Sequence, residues 1–331
     1  MMINKVKNKI RLCVTGGSGF IGTNVMEWAI NSGFEVLNID IKRPKIADHF
    51  KFYKEVDIRD FEILKCVLEE FRPTHIIHLA ATTGMGKYEL SFFNANTVGV
   101  QNLVTIANQL DDLERVIFTS SLLVCRNGYI PINPTDFCPP NKYGESKVIG
   151  EKIVRDQCIK SWTIIRPTSI WGKWFETSYL KFFKTIKYGW YINPGSKLIY
   201  KPLSFVGNTV YMIEKILLSN PQEVEKKVFY LADYPYISIQ EWSGLISKAF
   251  GRGKVLSAPI FFLKMIALIG DLLKILGFED PPITSFRLKN ILTGAFYPIE
   301  NTENIVGKLP YRVEDGINIT VEWMTRLKNE D

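Results

Sequence analysis

The chain has 331 residues, of which 46% are hydrophobic and 23% charged; this excludes a disordered protein and suits a globular one that needs no disulfide or metal to fold. The 41 Lys and Arg against 34 Asp and Glu give a net charge of +7, which suits an anionic small molecule or a membrane surface, and without a basic run we expect no nucleic-acid partner. Five scattered cysteines without a CxxC pair, and only three histidines, argue against a disulfide framework and a metal site and predict a cytoplasmic protein.

The first half of the chain alternates short β-branched runs with longer helical patterns. Strands are predicted over residues 11–15, 35–40, 75–80, 115–120 and 162–166. Helices are predicted between and after them, over residues 21–31, 61–71, 92–110 and 143–160. This spacing is typical of βαβ units, so the sequence predicts an α/β fold built on a doubly wound parallel sheet of the Rossmann type.

The regular alternation stops after Arg166 and Pro167. Further elements are predicted as a helix at 210–219, a strand at 228–232, a helix at 238–250 and a long apolar helix from residue 260. We expect them to form a smaller C-terminal substrate domain at the carboxyl edge of the sheet, where ligands bind in open α/β folds. The predicted domains are 1–170 for the cofactor, with residues near 203–220 returning to it, and 171–331 mainly for the substrate.

A glycine-rich turn, TGGSGFIG, lies between the first strand and the first helix. Its Gly16, Gly19 and Gly22 allow a tight turn and let backbone N–H groups approach a pyrophosphate at the helix N-terminus. Asp40 ends the second strand, where a carboxylate accepts hydrogen bonds from the adenosine ribose and repels a 2′-phosphate. The pattern predicts NAD as the cofactor; Arg43 nearby keeps NADP as a less favoured alternative.

The motif YGESK places Tyr143 and Lys147 one helical turn apart on the same helix face. A phenol has a pKa near 10, and a neighbouring ammonium lowers it toward the range where Tyr143 can act as a base. Ser121 follows the strand at 115–120, so its hydroxyl is expected to face the cleft and to orient the reacting oxygen toward Tyr143. These residues predict a hydride-transfer site.

Taken together, the motifs resemble the extended short-chain dehydrogenase/reductase family, in its sugar epimerase/dehydratase branch. The residues that carry the resemblance are TGGSGFIG, Asp57-Ile58, HLAA at 78–81, Asn96, TSS at 119–121, YGESK at 143–147 and Arg166-Pro167. The chain is similar over nearly its whole length to polyprenyl-diphosphate-sugar and UDP-sugar 4-epimerases.

The resemblance implies a role for each matching residue. The cofactor would contact Gly16, Gly19, Phe20, Ile21, Gly22, Asp40, Asp57, Ile58, Leu79, Ala80, Ala81, Asn96, Tyr143, Lys147 and Pro167. The substrate would contact Thr82, Ser121, Ser169 and Lys201, and the catalytic residues would be Ser121, Tyr143 and Lys147. Lys201 stands where many relatives carry an Arg that binds the substrate diphosphate.

The implied function is an NAD-dependent epimerase that acts on a sugar diphosphate, nucleotide-linked or polyprenyl-linked, through a transient keto-sugar with Tyr143 as base. Ser120 and Ser121 replace the Asp-Glu pair of the family's dehydratases, so dehydration is not expected. Alternatives within enzymes are an NAD(P)H-dependent 4-keto-sugar reductase and a hydroxysteroid-type dehydrogenase. An alternative of another class is a catalytically idle NAD-binding scaffold.

Residues 260–276 form an almost wholly apolar stretch whose charges are Lys264, Asp271 and Lys274. On a helix these charges fall within an arc of about 80°, which leaves most of the circumference apolar. The stretch is short for a membrane span. It predicts either a core or subunit-interface helix, consistent with a homodimer, or a helix lying on the cytoplasmic face of a membrane.

Overall fold

The computed structural model describes residues 10–84, 86, 88–195, 197–278 and 283–326. Its strands are β1 (Arg11–Thr15), β2 (Glu35–Asp40), β3 (Tyr53–Glu55), β4 (His75–His78), β5 (Arg115–Thr119), β6 (Trp162–Pro167), β7 (Ser169–Trp171), β8 (Asn193–Pro194), β9 (Tyr200–Lys201), β10 (Leu203–Phe205), β11 (Val228–Leu231), β12 (Ile237–Ser238) and β13 (Ser257–Ala258). Its α-helices are α1 (Phe20–Asn31), α2 (Phe61–Phe71), α3 (Asn94–Ala107), α4 (Lys142–Gln157), α5 (Thr177–Lys187), α6 (Val206–Leu218), α7 (Pro221–Val224), α8 (Ile239–Ala249), α9 (Ile260–Ile275), α10 (Ser285–Leu292), α11 (Glu300–Val306) and α12 (Val313–Arg326).

The central sheet has seven strands in the order β11-β6-β5-β4-β1-β2-β3, and every neighbouring pair is parallel. From β1 the chain winds outward through β2 and β3, then crosses back to β4 on the other side of β1. The order of the strands therefore reverses between β1 and β4. In open α/β sheets the carboxyl ends of the strands at such a reversal form the ligand crevice.

Helices cover both faces of the sheet, which explains why its strands are apolar on both sides. On one face, buried side chains of α2, α3 and α4 pack against the sheet, among them Leu68, Leu103 and Val154. On the other face, α1 and α6 do the same, through residues such as Met26 and Ile213. The doubly wound parallel fold predicted from the sequence is confirmed.

The C-terminal part has a separate apolar cluster built from β7, β10, α5, α8 and α12. Trp171, Phe183 and Trp242 lie at its centre and are almost fully buried, and their rings contact one another. The α9 helix packs against α10 through a further small cluster of Leu263, Ala267 and Leu288. Within the described ranges, no helix is both long and apolar enough to cross a membrane.

Two later segments of the chain lie on the central sheet. The α6 helix packs on it beside α1. The β11 strand pairs with β6 and forms an edge of the sheet. The boundary at residue 170 stays a prediction, and residues 1–9 and 327–331 of the two predicted domains lie outside the described residues.

Candidate active site

The glycine-rich turn joins β1 to α1 at the strand reversal. Gly16 has a positive φ of 75°, and a Cβ there would lie 2.5 Å from the backbone nitrogen of Ala80. A Cβ on Gly22 would overlap the carbonyl oxygen of Gly16. Gly19 is the N-cap of α1, followed directly by Phe20 and Ile21 in its first turn. Because Gly19 has no side chain, the first amides of α1 are open to an anion, as a pyrophosphate requires.

Asp40 lies beside this turn at the carboxyl end of β2 and is 9% exposed. Its Oδ2 accepts a hydrogen bond from the Ser18 backbone N–H at 3.0 Å, and its Oδ1 accepts one from the Lys42 N–H at 2.9 Å. The carboxylate is thus fixed in direction before any ligand arrives. Lys42 and Arg43, in the segment that follows β2, are exposed.

Asp57 and Ile58 follow β3, and the structure separates their environments. The Asp57 carboxylate accepts hydrogen bonds from Arg59 Nε at 3.0 Å and forms an ion pair with Arg59 Nη2 at 2.5 Å. These hydrogen bonds lower the pKa of Asp57. The Ile58 side chain is 4% exposed and packs against Gly99 of α3, so it belongs to the core. Their predicted roles near the adenine stay proposals.

The Asn96 side chain connects two segments of the site through hydrogen bonds. Its Oδ1 accepts from the Thr82 N–H at 2.9 Å, and its Nδ2 donates to the Thr82 carbonyl at 2.9 Å and to Ser146 Oγ at 2.9 Å. Ser146 Oγ in turn donates to the Tyr143 carbonyl at 2.7 Å. Asn96 therefore ties the segment after β4, which contains Leu79, Ala80, Ala81 and Thr82, to the first turns of α4. These contacts give Asn96 a positioning role, and its predicted contact with the cofactor stays a proposal.

Tyr143, Ser121 and Lys147 come together at the carboxyl end of β5. The Asn141 side chain caps α4 by accepting from the Gly144 N–H at 2.8 Å, which fixes where Tyr143 enters the helix. Lys147 is buried, and its Nζ donates to the Thr119 carbonyl at 3.0 Å. Burial lowers the pKa of Lys147 to about 8, and the charge of Glu151 opposes this shift.

The pKa of Tyr143 differs from the value expected of a base. Burial raises the pKa of the phenol, and a hydrogen bond with Ser121 opposes the shift without overcoming it. The sequence predicted that the Lys147 ammonium would lower the Tyr143 pKa. In the structure burial dominates, so the pKa stays above its usual value and the phenol is neutral at physiological pH, while the Lys147 ammonium donates to the Thr119 carbonyl.

Pro167, predicted to contact the cofactor, ends β6 and is buried. Two of the residues predicted for the substrate lie on β7 and β9. Ser169 begins β7, where its N–H donates to the Pro202 carbonyl at 3.1 Å. Lys201 is turned toward the end of α10, where its Nζ donates to the carbonyls of Asn290, at 2.6 Å, and Thr293. Burial lowers the Lys201 pKa to about 8. The ammonium thus caps a helix, and its predicted contact with a diphosphate stays a proposal.

A buried ion pair behind the site was missed by the sequence analysis. Arg166 is fully buried and holds both carboxylate oxygens of Glu151 at 2.8 Å, while its Nη1 donates to the Tyr230 hydroxyl at 2.7 Å. Burial works against the charge of Arg166, but Glu151 outweighs it and raises the Arg166 pKa. This network fixes α4 to β6 and β11. The available signal was the placement of Glu151 four residues after Lys147 on the inward face of α4.

The described residues fit a dinucleotide. The glycine-rich turn offers helix N-terminal amides for a pyrophosphate, and the fixed Asp40 carboxylate offers acceptors for ribose hydroxyls. Tyr143 and Lys147 lie on α4, on the other side of the point where the strand order reverses. Fold and site together define an α/β dinucleotide-binding protein. Residues 12–189 match the model of the NAD dependent epimerase/dehydratase family, more than half of the chain, and the chain belongs to this family.

Known proteins extend the likeness to almost the whole chain. It is 26% identical over 322 residues to the N-acetyl-alpha-D-glucosaminyl-diphospho-ditrans,octacis-undecaprenol 4-epimerase of Escherichia coli O157:H7, covering 93% of each protein. The structure of a UDP-glucose 4-epimerase from Thermotoga maritima with UDP-glucose superimposes with a TM-score of 0.73 at 17% identity, covering 96% of this chain and 99% of that one. The Bordetella bronchiseptica enzyme WbmG in complex with NAD and UDP has a TM-score of 0.72 at 19% identity, covering 98% and 96%.

Proposed function

We propose that the protein is an NAD-dependent epimerase of a sugar diphosphate, linked to either a nucleotide or a polyprenol. The observation that carries the proposal is the group of Ser121, Tyr143 and Lys147 beside the glycine-rich turn at the strand reversal. The names of the relatives support it, since the Escherichia coli protein is a 4-epimerase of a sugar diphospho-undecaprenol and the Thermotoga maritima protein a UDP-glucose 4-epimerase. Ser120 and Ser121 leave no carboxylate at the position that dehydration needs in this family.

The residues of the chain have separate tasks in this reaction. When bound, NAD would supply a group that can accept a hydride from a sugar carbon and return it, so that the alcohol could become a ketone for a time. Ser121 would orient the sugar oxygen. The Tyr143 phenolate would take the proton from that oxygen and, as the phenol, give it back. Turning the keto-sugar in the cleft between the two transfers would invert the carbon. Lys147 would hold the ribose of the cofactor with the ammonium that otherwise donates to Thr119.

The neutral phenol of Tyr143 suits the half of the reaction in which a ketone oxygen receives a proton. The opposite half requires the phenol to become a base, against the burial that raises its pKa. Lys147 lies one helical turn away on the same face of α4. A substrate or cofactor that draws the ammonium away from Thr119 and toward Tyr143 would lower the phenol pKa.

We infer that NAD binds more tightly than NADP. The Asp40 carboxylate is held by two backbone N–H groups and cannot turn away from a 2′-phosphate. The like-charge contact should weaken NADPH binding at least about tenfold relative to NADH. Fluorescence titrations of the two cofactors measure this ratio, and Asp40→Asn should reduce it. Equal or tighter binding of NADPH by the unmodified protein would contradict the inference and give the role to Arg43.

One experiment tests the proposed activity. The purified protein is incubated with a UDP-sugar and, separately, a polyprenyl-diphosphate sugar, without added nicotinamide cofactor. An epimerase turns over because it reuses its own cofactor, whereas a reductase needs one NAD(P)H per product. Tyr143→Phe should lower the rate by about 10²–10⁴-fold with cofactor affinity within a few-fold. Tyr211→Phe on α6 removes a hydroxyl outside the site and is the control. No turnover on either sugar would favour the idle NAD-binding scaffold.

The cellular location and the oligomeric state of the protein are also part of this proposal. The outward side of α9 suits either a second copy of the chain, as in a homodimer, or the cytoplasmic face of a membrane. Its exposed charged residues, Lys264 and Lys274, are both basic, which favours the membrane.

A further inference from the structure

The α9 helix touches the rest of the protein along a narrow stripe. Leu263, Ala267 and Gly270 are buried on this stripe, and Gly270 packs against the backbone carbonyl of Ile283. Asp271 lies at its edge, where Oδ1 accepts a hydrogen bond from the Ser285 N–H of α10 at 3.1 Å. The one acidic residue of the helix is therefore used inside the protein.

The opposite side of α9, here called the outer face, is apolar and open. Each of its side chains is between 47% and 81% exposed. The outer face consists of Phe261, Phe262, Met265, Ile266, Leu268, Ile269, Leu272 and Ile275. At about 100° per residue these positions cover roughly half of the circumference, opposite the buried stripe. An ordinary surface helix has the reverse polarity, so the outer face requires a covering surface.

Charged and aromatic residues indicate which surface covers the outer face. Lys264 borders the outer face, and Lys274 lies on the other side of α9 near its end. Both are exposed and basic, which matches anionic headgroups. Tyr188 and Trp190 contact each other and are 44% and 75% exposed. Gly189, between them, lies against the Arg252 guanidinium, and β8 pairs with β13 in parallel, so the two rings lie near Arg252 on the side of β13 away from α9. Exposed Tyr and Trp beside basic residues are typical of the membrane–water interface.

We propose that the outer face of α9 docks on an anionic lipid bilayer, with the helix lying in the plane of the interface. Sixteen helical residues measure about 24 Å, which is too short for a span and ample for a helix half immersed beside headgroups. In this arrangement Lys264, at the border of the outer face, reaches the lipid phosphates, and the apolar side chains of the outer face enter the acyl boundary.

The docked helix adjoins the substrate cleft. Lys201 joins the end of α10 to β9, and the chain continues from α10 to Tyr297, which packs in one cluster with Leu122, the residue after Ser121. A bilayer under α9 would therefore present its lipids near the cleft. This step rests on the proposed function: the substrate is then a lipid-linked sugar diphosphate, delivered from the membrane in which its carrier lies.

Flotation with vesicles tests the docking without requiring activity. The vesicles are phosphatidylcholine with or without about 30% phosphatidylglycerol, which supplies the anionic charge. The variants are Phe261→Asp, Met265→Asp and Leu272→Asp, tested singly, and Lys264→Glu for the charge. The control is Ile63→Asp on α2, because Ile63 and Met265 are both 51% exposed on a helix. Oligomeric state and the turnover of a UDP-sugar and of a polyprenyl-diphosphate sugar are measured on the same samples.

The proposal expects the unmodified protein to float with anionic vesicles and much less with neutral ones. Each Asp variant should lower the bound fraction about tenfold or more, with the oligomeric state and UDP-sugar turnover unchanged, while Ile63→Asp floats normally. The proposal is overturned if the unmodified protein does not float, or if the Asp variants convert a dimer to monomers, which makes the outer face a subunit interface. Flotation without turnover of either sugar would refute the epimerase and leave the docking in place.

Discussion

The buried pair of Glu151 and Arg166 offers a sharp test of how α4 is held in place. Glu151→Gln keeps the shape of the side chain but removes its negative charge. In the unmodified protein both carboxylate oxygens of Glu151 accept hydrogen bonds from the fully buried guanidinium of Arg166, each at 2.8 Å. Arg166 would keep the Tyr230 hydroxyl and the Pro134 carbonyl as partners, at 2.7 Å and 2.6 Å. Neither acceptor carries a negative charge, so the positive charge would be left uncompensated in the interior.

The size of the effect follows from this geometry. Removing one partner of a buried ion pair costs about 3–5 kcal/mol, and the two remaining acceptors place the expected loss near the lower limit, about 3 kcal/mol. Arg166→Met leaves Glu151 paired with Arg155 at 3.2 Å, a residue with a partly exposed side chain, so its cost should be smaller. The double variant Glu151→Gln/Arg166→Met should lose less than the sum of the two by at least about 1 kcal/mol.

Urea unfolding at neutral pH measures all four proteins, and a double-mutant cycle gives the coupling energy. The matched control is Arg312→Met, which removes an arginine from an exposed pair with Asp315 and should cost less than about 1 kcal/mol. If Glu151→Gln costs no more than this control, the buried pair is solvated and the reasoning fails. A coupling energy near zero would equally show that the two side chains do not depend on each other.

Two further predictions concern the glycine-rich turn and the strand beside it. Gly22→Ala should abolish measurable NAD binding in calorimetry, because the added Cβ would overlap the Gly16 carbonyl. The control is Gly244→Ala on α8, where the Cβ would meet open space, and this variant should bind NAD normally. Normal binding by Gly22→Ala would refute the role of the turn. Burial lowers the His78 pKa to about 3. Below about pH 6.5 the unfolded chain therefore binds a proton that the folded protein does not bind, and the free energy of unfolding decreases as the pH is lowered. His78→Gln should reduce the slope of unfolding free energy between about pH 4 and pH 6 by about 1.4 kcal/mol per pH unit, and an unchanged slope would contradict this.

The strands and helices of the first half could be predicted because their local patterns agree with the fold. The predicted strand at 11–15 and the predicted helix at 61–71 coincide with β1 and α2. The edge position of β11 was not predictable in the same way. Its four residues have the pattern of any buried strand, and the partner that makes it part of the sheet, β6, is more than sixty residues earlier in the chain. Sequence periodicity identifies a strand but not its neighbour.

The site shows the same division between local and distant information. The glycine-rich turn, Asp40 and the helix spacing of Tyr143 and Lys147 are local patterns, and the structure places each of them at the strand reversal. The raised pKa of Tyr143 was not foreseen, because it depends on burial by chain segments that the motif does not include. The network of Glu151 and Arg166 was missed for the same reason, since its members come from α4 and β6.

Lys201 shows how the fold can redirect a charge that a motif assigns to a ligand. A helix ends with carbonyl groups that lack a partner within the helix, and α10 ends where Lys201 reaches it. The ammonium donates to the carbonyls of Asn290 and Thr293, so its cost of burial is offset by the helix end rather than by a phosphate. Because α9 packs against α10, the cation that the motif assigned to the substrate also links α9, through α10, to β9.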